Sequence, residues 1–449
     1  MTDYISALHD NGAKIYIVGG AVRQYLFNSI HQTNISIKDY DYLVCELEQS
    51  KIIEILQNFG KIKEVGQSFG IILFNPFNTK ENIEFALPRT EISTGSGYKD
   101  FIIQSDPYLS LYQDFSRRDA TINAIGFQIY SINDILFLDH LEYPEPNLTN
   151  FIDPFNGIDN IRRKIWKAIG DPYQRFLEDP VRIMRAFRQS TELSLEIELN
   201  TLNAIIAHYD IMKSLIPNSY VRLFNEFFKI VNVQISGKYL MLMSNIGILN
   251  FLGFDSKIDN DVSDKLDKSN KIIKIALILD LINFNTNIKK WVYDRQLLAT
   301  SLFTQSDLYV LIAIQMFSSE VKNIFDIECC IGTLQYKLLK IREHIYKFAK
   351  IESTYVLSQV MEYIKISYDL NISVDYIINE YINTNVMSTD QLVISGDILQ
   401  KTFNLKGKQI GEAKKMILNE IFLGKLSNEH TKILEYVNNI YNILINEQA

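Results

Sequence analysis

The chain has 449 residues, an apolar fraction of 47% and a formal net charge of −8, which is length enough for about three domains of roughly 150 residues each. Its three cysteines (Cys45, Cys329 and Cys330), two of them adjacent, exclude a disulfide framework and a zinc-ligand spacing. The acidic balance gives no general affinity for polyanions, so any such binding must come from local basic clusters. No window approaches the ~18 uninterrupted apolar residues of a membrane span. The opening Met1-Thr2-Asp3-Tyr4 lacks the basic start and apolar run of a signal peptide. A protein of the reducing cytoplasm, with no membrane partner, is the expectation.

Residues 14–18 read as a strand, Gly19-Gly20 as a break, 21–27 as a helix, and Asp39-Tyr40-Asp41 as part of a second strand after a polar connection. Paired glycines between strand and helix let the backbone approach a ligand and present helix-end amides to an anion. Residues two apart on a strand share a face, so Asp39 and Asp41 are expected to converge. Two carboxylates beside a phosphate cradle suit Mg²⁺, which takes oxygen ligands and accompanies substrate phosphates. These features point to phosphate chemistry of the two-metal kind. The plainer alternatives are an ordinary turn and a solvated acidic edge.

Residues 51–59 then have the period of an amphipathic helix, and 70–74 and 83–87 look like strands. Glu84, in mid-strand, is either a third carboxylate for the metal site or an exposed strand residue. Small residues and two glycines over 93–98 suggest a mobile loop or a plain surface connection. In Ser116-Arg117-Arg118-Asp119-Ala120-Thr121-Ile122-Asn123-Ala124, the density of polar groups indicates either recognition or mutual bracing. Asp153-Pro154-Phe155-Asn156-Gly157 marks a turn opening a helix.

Glu178-Asp179-Pro180 is read as the start of a further helix, with acids and proline where helix starts favour them. Asp179 and Arg182 are three apart and so neighbours on its surface, with Arg185 and Arg188 continuing that row. From about 195 to 390 the chain is helical by period, and Trp166 and Trp291 are expected in cores. Residues 391–449 form a distinct tail in which Lys401, Lys406, Lys408, Lys414, Lys415 and Lys425 concentrate positive charge. That tail is a phosphate-backbone contact or a solvated helical hairpin.

The Gly-Gly-x-Val-Arg and Asp-x-Asp pair, the Arg117–Ala124 run and the Glu178-Asp179-x-x-Arg182 stretch together resemble the class II tRNA CCA-adding enzymes and bacterial poly(A) polymerases. Gln24 stands where that family has Asp, and the interval from Arg23 to Asp39 is longer than usual. The resemblance implies an α+β fold: an N-terminal, polymerase-beta-like nucleotidyltransferase head with a mixed sheet over 1–150. A helical neck over 151–235, a helical body over 236–390 and a helical, tRNA-binding tail over 391–449 would follow. It implies catalysis by Asp39 and Asp41 with Mg²⁺, and nucleotide binding by Gly19, Gly20, Arg23, Arg118, Asp119, Asn123, Asp179, Arg182, Arg185 and Arg188. Within that set Arg118 would meet the nucleotide, Asp119 and Asn123 would shape the ribose side, and Arg185 and Arg188 would grip the triphosphate.

Cytosine and adenine each present an amine donor beside a ring-nitrogen acceptor, which an Asp acceptor next to an Arg donor complements. Uracil and guanine present the reverse, and unmatched buried groups cost ~1–3 kcal/mol each. The implied activity is template-independent addition of CCA to tRNA 3′ ends from CTP and ATP. The partners would be the tRNA 3′ end and elbow, with no DNA. Poly(A) synthesis, addition of CC or A alone, and silent tRNA binding remain open. A His-Asp phosphohydrolase is not expected, since Leu279 precedes Asp280 where His would be needed.

Overall fold

A computed structural model of the chain describes residues 3–37, 39–64, 70–77, 82–93, 101–139, 147–215, 220–254, 257–279, 287–300, 302–325, 353–367, 389–422 and 425–446. They fall into two units, Met1–Val233 and Gln234–Ala449. Thr94 to Tyr98 of the expected loop, Asp280, Cys329 and Cys330 lie outside the described residues.

The first unit begins with helix α1 (Tyr4–Asp10), strand β1 (Lys14–Val18), helix α2 (Gly20–His31), strand β2 (Asp41–Cys45) and helix α3 (Gln49–Leu56). Strands β3 (Gly60–Glu64), β4 (Ile71–Pro76), β5 (Ile83–Ala86), β6 (Arg89–Ser93) and β7 (Phe101–Ser105) follow. Then come α4 (Leu111–Ser116), a 3₁₀ turn at Thr121–Asn123, β8 (Gly126–Ile129), α5 (Ile132–Asp139), β9 (Phe151–Ile152) and α6 (Gly157–Arg162). A seven-stranded mixed sheet has the order β3-β4-β5-β2-β1-β8-β9. In it only β2 and β5 run parallel. The hairpin β6–β7 was not expected from the sequence, which suggested a loop beyond Glu91, and it stands as a separate two-stranded sheet.

The two central strands explain the sheet's grip on the site. Both β1 and β2 are exposed at their first residue and buried at the next four, so an unbroken apolar run replaces the alternation of a one-sided strand. Register pairs Val18 with Asp41 and, on the other side, Asp41 with Glu84. The last residue of β1 and the first of β2 thus mark one edge of the sheet. α2 continues to His31, a turn beyond the predicted end. Asn28 organises the connection that follows, its amide donating to Ile35 O at 2.8 Å and its carbonyl accepting from Thr33 Oγ1 and the Ile35 N–H. That connection is the long interval between Arg23 and the acids.

The helical end of the unit holds β10 (Ile165–Trp166), α7 (Pro172–Glu178), α8 (Val181–Leu193), β11 (Glu196–Ile197), α9 (Leu199–His208), a 3₁₀ segment (Tyr209–Leu215) and α10 (Tyr220–Asn232). Residues 178–180 lead into the expected helix, standing just before its first turn and not within it. α7 ends at Glu178, Asp179 is extended (φ −142°, ψ 96°), and α8 starts at Val181. Pro180 disfavours helical geometry in the residue before it and has no N–H to continue the ladder. The turn expected at 153–157 is present: Asn156 takes a left-handed conformation (φ 57°), and Asp153 accepts from the Gly157 and Ile158 amides to start α6.

In the second unit the regular elements among the described residues are all helices, Gly237–Ile246, Asn260–Asp267, Lys271–Ile278 and Gln305–Phe325 among them. Its end has a core of its own, in which Ile394, Leu399, Leu405, Ala413, Ile417, Ile433 and Val437 pack together across the helices Gly396–Phe403, Lys408–Phe422 and His430–Asn446. Ser395 caps the first of these by accepting from the Ile398 amide. Trp166 and Trp291 are both buried, as expected of core residues.

Candidate active site

The turn from β1 to α2 is fixed by Gly19, whose φ of +75° is open to glycine and strained for other residues. A Cβ there would also stand 3.3 Å from Asp41 Oδ2 and 3.6 Å from Arg118 Nη1, so the backbone passes closely between an acid and a guanidinium. Around this turn lies a cavity of about 570 Å³, within the usual range of small-ligand sites. Gly19, Gly20, Arg23, Asp41, Arg118, Asp119, Asn123, Asp179, Arg182, Arg185 and Arg188 all line it. Of the residues expected from the sequence, Asp39 alone is not among the lining residues.

Asp39 lies two residues before β2 begins, with φ +56°. The shared strand face expected for Asp39 and Asp41 therefore does not arise from strand alternation. Its charge still reaches Asp41. Burial raises the Asp41 pKa, Arg118 opposes that rise, and Glu84 and then Asp39 add to it. Glu84, exposed and register-paired with Asp41, lines the same cavity. Among the described residues no three His, Cys, Asp or Glu side chains converge as ligands. An oxygen-only set of one or two carboxylates, crowded by like charge, is nonetheless the donor chemistry of Mg²⁺, which keeps several waters and shares substrate phosphate oxygens.

The opposite wall is cationic and braced from behind. Arg23, Arg89, Arg117, Arg118, Arg182, Arg185, Arg188 and Arg222 line the cavity against Asp41, Glu84, Glu91, Asp119 and Asp179, with no lysine. Asp114 is fully buried and takes Arg117 at 2.8 Å and Arg118 at 3.3 Å. Burial would raise its carboxyl pKa, but Arg118 and Arg117 hold it below the usual range. Glu91 bridges Arg89 at 2.9 Å and Arg117 at 2.8 Å, which ties β6 to α4. Sequence reasoning passed over Asp114, although its i,i+3 and i,i+4 spacing to Arg117 and Arg118 was a usable signal. It had no access to the Glu91 bridge, which spans 26 residues.

Asp119, Asn123 and Gln189 form a buried network rather than an open ribose subsite. Asp119 accepts from Arg185 Nε at 2.7 Å, Asn123 Nδ2 at 2.7 Å, Gln189 Nε2 at 3.2 Å and the Ala120 amide at 2.9 Å. A carboxylate has about four acceptor sites, so this one is filled by the chain. Burial raises its pKa, yet Arg185 and Asn123 outweigh that and hold it well below the ordinary carboxylate value. The Asn123 amide also donates to Gln189 Oε1, and its carbonyl accepts from Arg23 Nη1. Gln189 Oε1 further accepts from Trp166 Nε1 at 2.9 Å.

Arg185 therefore leans on Asp119, while Arg188 is engaged by Glu192 at 2.8 Å and by Glu226 of α10. Asp179 and Arg182, though adjacent, are anchored separately. Asp179 Oδ2 accepts from Arg222 Nη2 at 3.0 Å and its Oδ1 from the Val181 amide. Arg182 donates to Arg117 O at 2.9 Å and to Glu178 at 3.3 Å. Arg23 is buried with its Nε unpartnered, as is the Nε of Arg118. Burial is the main reason the Arg23 pKa falls to about 10, with Arg188 adding to it.

Residues 15–167 match the family described as Poly A polymerase head domain, and residues 309–437 match tRNA nucleotidyltransferase domain 2. A CCA-adding enzyme of Streptococcus agalactiae is 26% identical over 443 residues, covering 95% of this chain and 93% of that protein. A multifunctional CCA protein of Mannheimia succiniciproducens is 30% identical over 240 residues, covering 53% of this chain, which spans about half of that relative's length (48%). The fold is similar to that of the Bacillus stearothermophilus CCA-adding enzyme in complex with CTP, with a TM-score of 0.67 at 18% identity over 98% of this chain and 96% of that one. It is also similar to the Thermotoga maritima CCA-adding enzyme complexed with tRNA-CCA, with a TM-score of 0.64 at 16% identity over 97% and 94% of the two chains. The mixed sheet with its Gly19 turn thus falls within the stretch that matches a Poly A polymerase head domain, and over most of its length the chain is similar to CCA-adding enzymes.

Proposed function

We propose that the chain adds CCA to tRNA 3′ ends from CTP and ATP without a nucleic-acid template. The observation that carries this reading is a single arginine-lined cavity with Asp41 beside the Gly19 turn and Asp179 and Arg182 in the same lining. An acid that serves phosphate chemistry and a donor–acceptor couple that reads a base then share one ligand volume. The names of the relatives that match over most of this chain agree with it. Residues 1–150 would be the catalytic head, 151–235 the neck, 236–390 the body and 391–449 the tRNA-binding tail, in a cytoplasmic protein.

In the reaction the 3′-hydroxyl oxygen of the tRNA bonds to the α-phosphorus of the nucleotide, the α–β anhydride bond breaks, and pyrophosphate leaves. Asp39 and Asp41 are the residues that would hold Mg²⁺, whose chemistry is to lower the pKa of the attacking hydroxyl and offset charge on the leaving group. Arg23 and Arg118 line the cavity beside the Gly19 turn, and their guanidinium groups would serve triphosphate oxygens. Arg185 is left partly exposed by its bond to Asp119 and would hold the nucleotide in line. Asp119 and Asn123, with their bonding capacity filled by the chain, position Arg185 and Arg23 and need not touch the ribose. Asp179 and Arg182 would accept cytosine and adenine and reject uracil and guanine.

Purified protein, end-trimmed tRNA and Mg²⁺, with CTP and ATP supplied singly and together, followed by sequencing of the products, tests the proposal. Ordered C, C, A addition is expected. Tracts of A from ATP alone would establish a poly(A) polymerase instead, a product stopping at CC or needing a CC end would define a partial enzyme, and tRNA binding without incorporation would defeat the catalytic reading.

A further inference from the structure

Asp179 sits at the break between α7 and α8, where Pro180 prevents a helical backbone from fixing its direction. Two bonds orient its carboxylate. The Val181 amide reaches Oδ1 at 3.1 Å, and Arg222 Nη2 of α10 reaches Oδ2 at 3.0 Å. The first holds the side chain to its own backbone. The second comes from 43 residues away and sets which lone pairs face the cavity that both residues line. Arg182 does not share this anchor, being held by Arg117 O and Glu178.

We infer that Arg222 is a positioning residue for nucleotide choice, holding the Asp179 carboxylate at the angle from which it accepts the exocyclic amine of cytosine or adenine. The inference rests on the reading of Asp179 and Arg182 as the base-selecting couple. Without the Arg222 anchor, Asp179 turns about its side-chain bonds, and a rotated carboxylate no longer prefers an amine over a carbonyl at a fixed point. Arg222 thereby acts on selectivity rather than on the transfer step. Glu226, one helical turn along α10, engages Arg188 in the same way, so one face of α10 braces two cavity residues.

The experiment compares kcat/KM for CTP, UTP, ATP and GTP on end-trimmed tRNA in Arg222→Met, Arg222→Lys and Asp179→Ala. In Arg222→Met the CTP-over-UTP and ATP-over-GTP preferences should fall roughly tenfold while the melting temperature stays near that of the parent. Arg222→Lys, which keeps a cation in reach of Asp179, should recover part of the preference. An equal loss for all four nucleotides in Arg222→Met, or preferences unchanged from the parent in both Arg222 variants, overturns the positioning role. Should Arg222→Met fail to fold, the lysine variant decides alone: a preference intermediate between the parent and Asp179→Ala supports the role, and a parental one overturns it. Asp179→Ala separates the two levels. If it leaves nucleotide choice intact, the base-selecting reading itself is lost, whereas blurred choice there with parental choice in the Arg222 variants removes the positioning role alone.

Discussion

The two walls of the cavity are built by opposite rules. On the sheet side, Asp41 and Glu84 stand at strand positions exposed to the cavity, and among the described residues neither carboxylate has a hydrogen-bond or ion-pair partner. On the helix side, Asp119, Asn123 and Gln189 are buried to 7%, 6% and 1% exposure and bonded to one another and to the arginines. The acid wall has spare bonding capacity and accumulates like charge. The arginine wall has its carboxylates spent on scaffolding and leaves guanidinium faces toward the cavity. Capacity for a ligand is thus decided by partners already taken, a property invisible in residue type.

Substitution on the acid wall should break the comparison most sharply. Asp41→Ala is expected to lower nucleotide incorporation by at least about a thousandfold, since a charge that stabilises the transition state directly is removed. tRNA affinity in a filter-binding measurement should hardly change. Asp39→Ala is expected to be as severe if Asp39 shares the metal. Full turnover in that variant, together with loss in Glu84→Gln, would hand the second place to Glu84, the register partner of Asp41.

On the arginine wall the expected loss is in stability first. Asp119→Ala strands Arg185, Asn123 and Gln189 donors in a buried site and should destabilise the first unit by about 2–4 kcal/mol in thermal or urea unfolding. The sign with pH follows from the lowered Asp119 pKa. Its stabilisation is complete above the ordinary carboxylate value of about 4 and is lost as pH falls through the lower native value. The parent should therefore lose stability in acid more steeply than Asp119→Ala. Equal acid sensitivity in the two proteins would show that the network contributes nothing through that charge.

Much of this was legible in the residues. The strand at Lys14–Val18 and the Gly19 turn are local effects of an apolar run followed by glycine, and the arginine-rich α8 follows from its period. Nearly all the expected site residues meet in one cavity because short-range motifs are carried on rigid elements. What the residues did not reveal were long-range partners. That Asp179 would turn to Arg222 and not to Arg182, and that Asp119 would be saturated by the chain, depend on how α8 and α10 pack. The β6–β7 hairpin was missed because a polar Arg-Thr-Glu opening carries no strand alternation. Asp39 was placed on β2 because proximity in sequence was taken for strand geometry, whereas its backbone is left-handed.

Lys274 of the second unit sharpens the comparison from a third direction, with the smallest expected effect. It is buried to 1% exposure, and its ammonium donates to Gln234 O at 2.8 Å and Ser236 Oγ at 2.9 Å. Burial lowers its pKa from 10.5 to about 8, against a smaller opposing pull from Asp267. Asp267 in turn accepts from the Ser236 and Gly237 amides, so the lysine closes a knot at the start of the helix Gly237–Ile246. Here the unfolded chain binds the proton more tightly than the native one. Stability should therefore rise with pH between about 8 and 10.5, by up to about 3 kcal/mol. Lys274→Met should flatten that rise relative to the parent in urea unfolding at stepped pH. At pH 7 its lost hydrogen bonds are offset by removal of a desolvated charge, so the net change there is small. An identical alkaline slope in both proteins would mean that Lys274 retains its ordinary proton affinity when buried, and that the second unit hydrates or pairs this cation as fully as the first unit pairs its arginines.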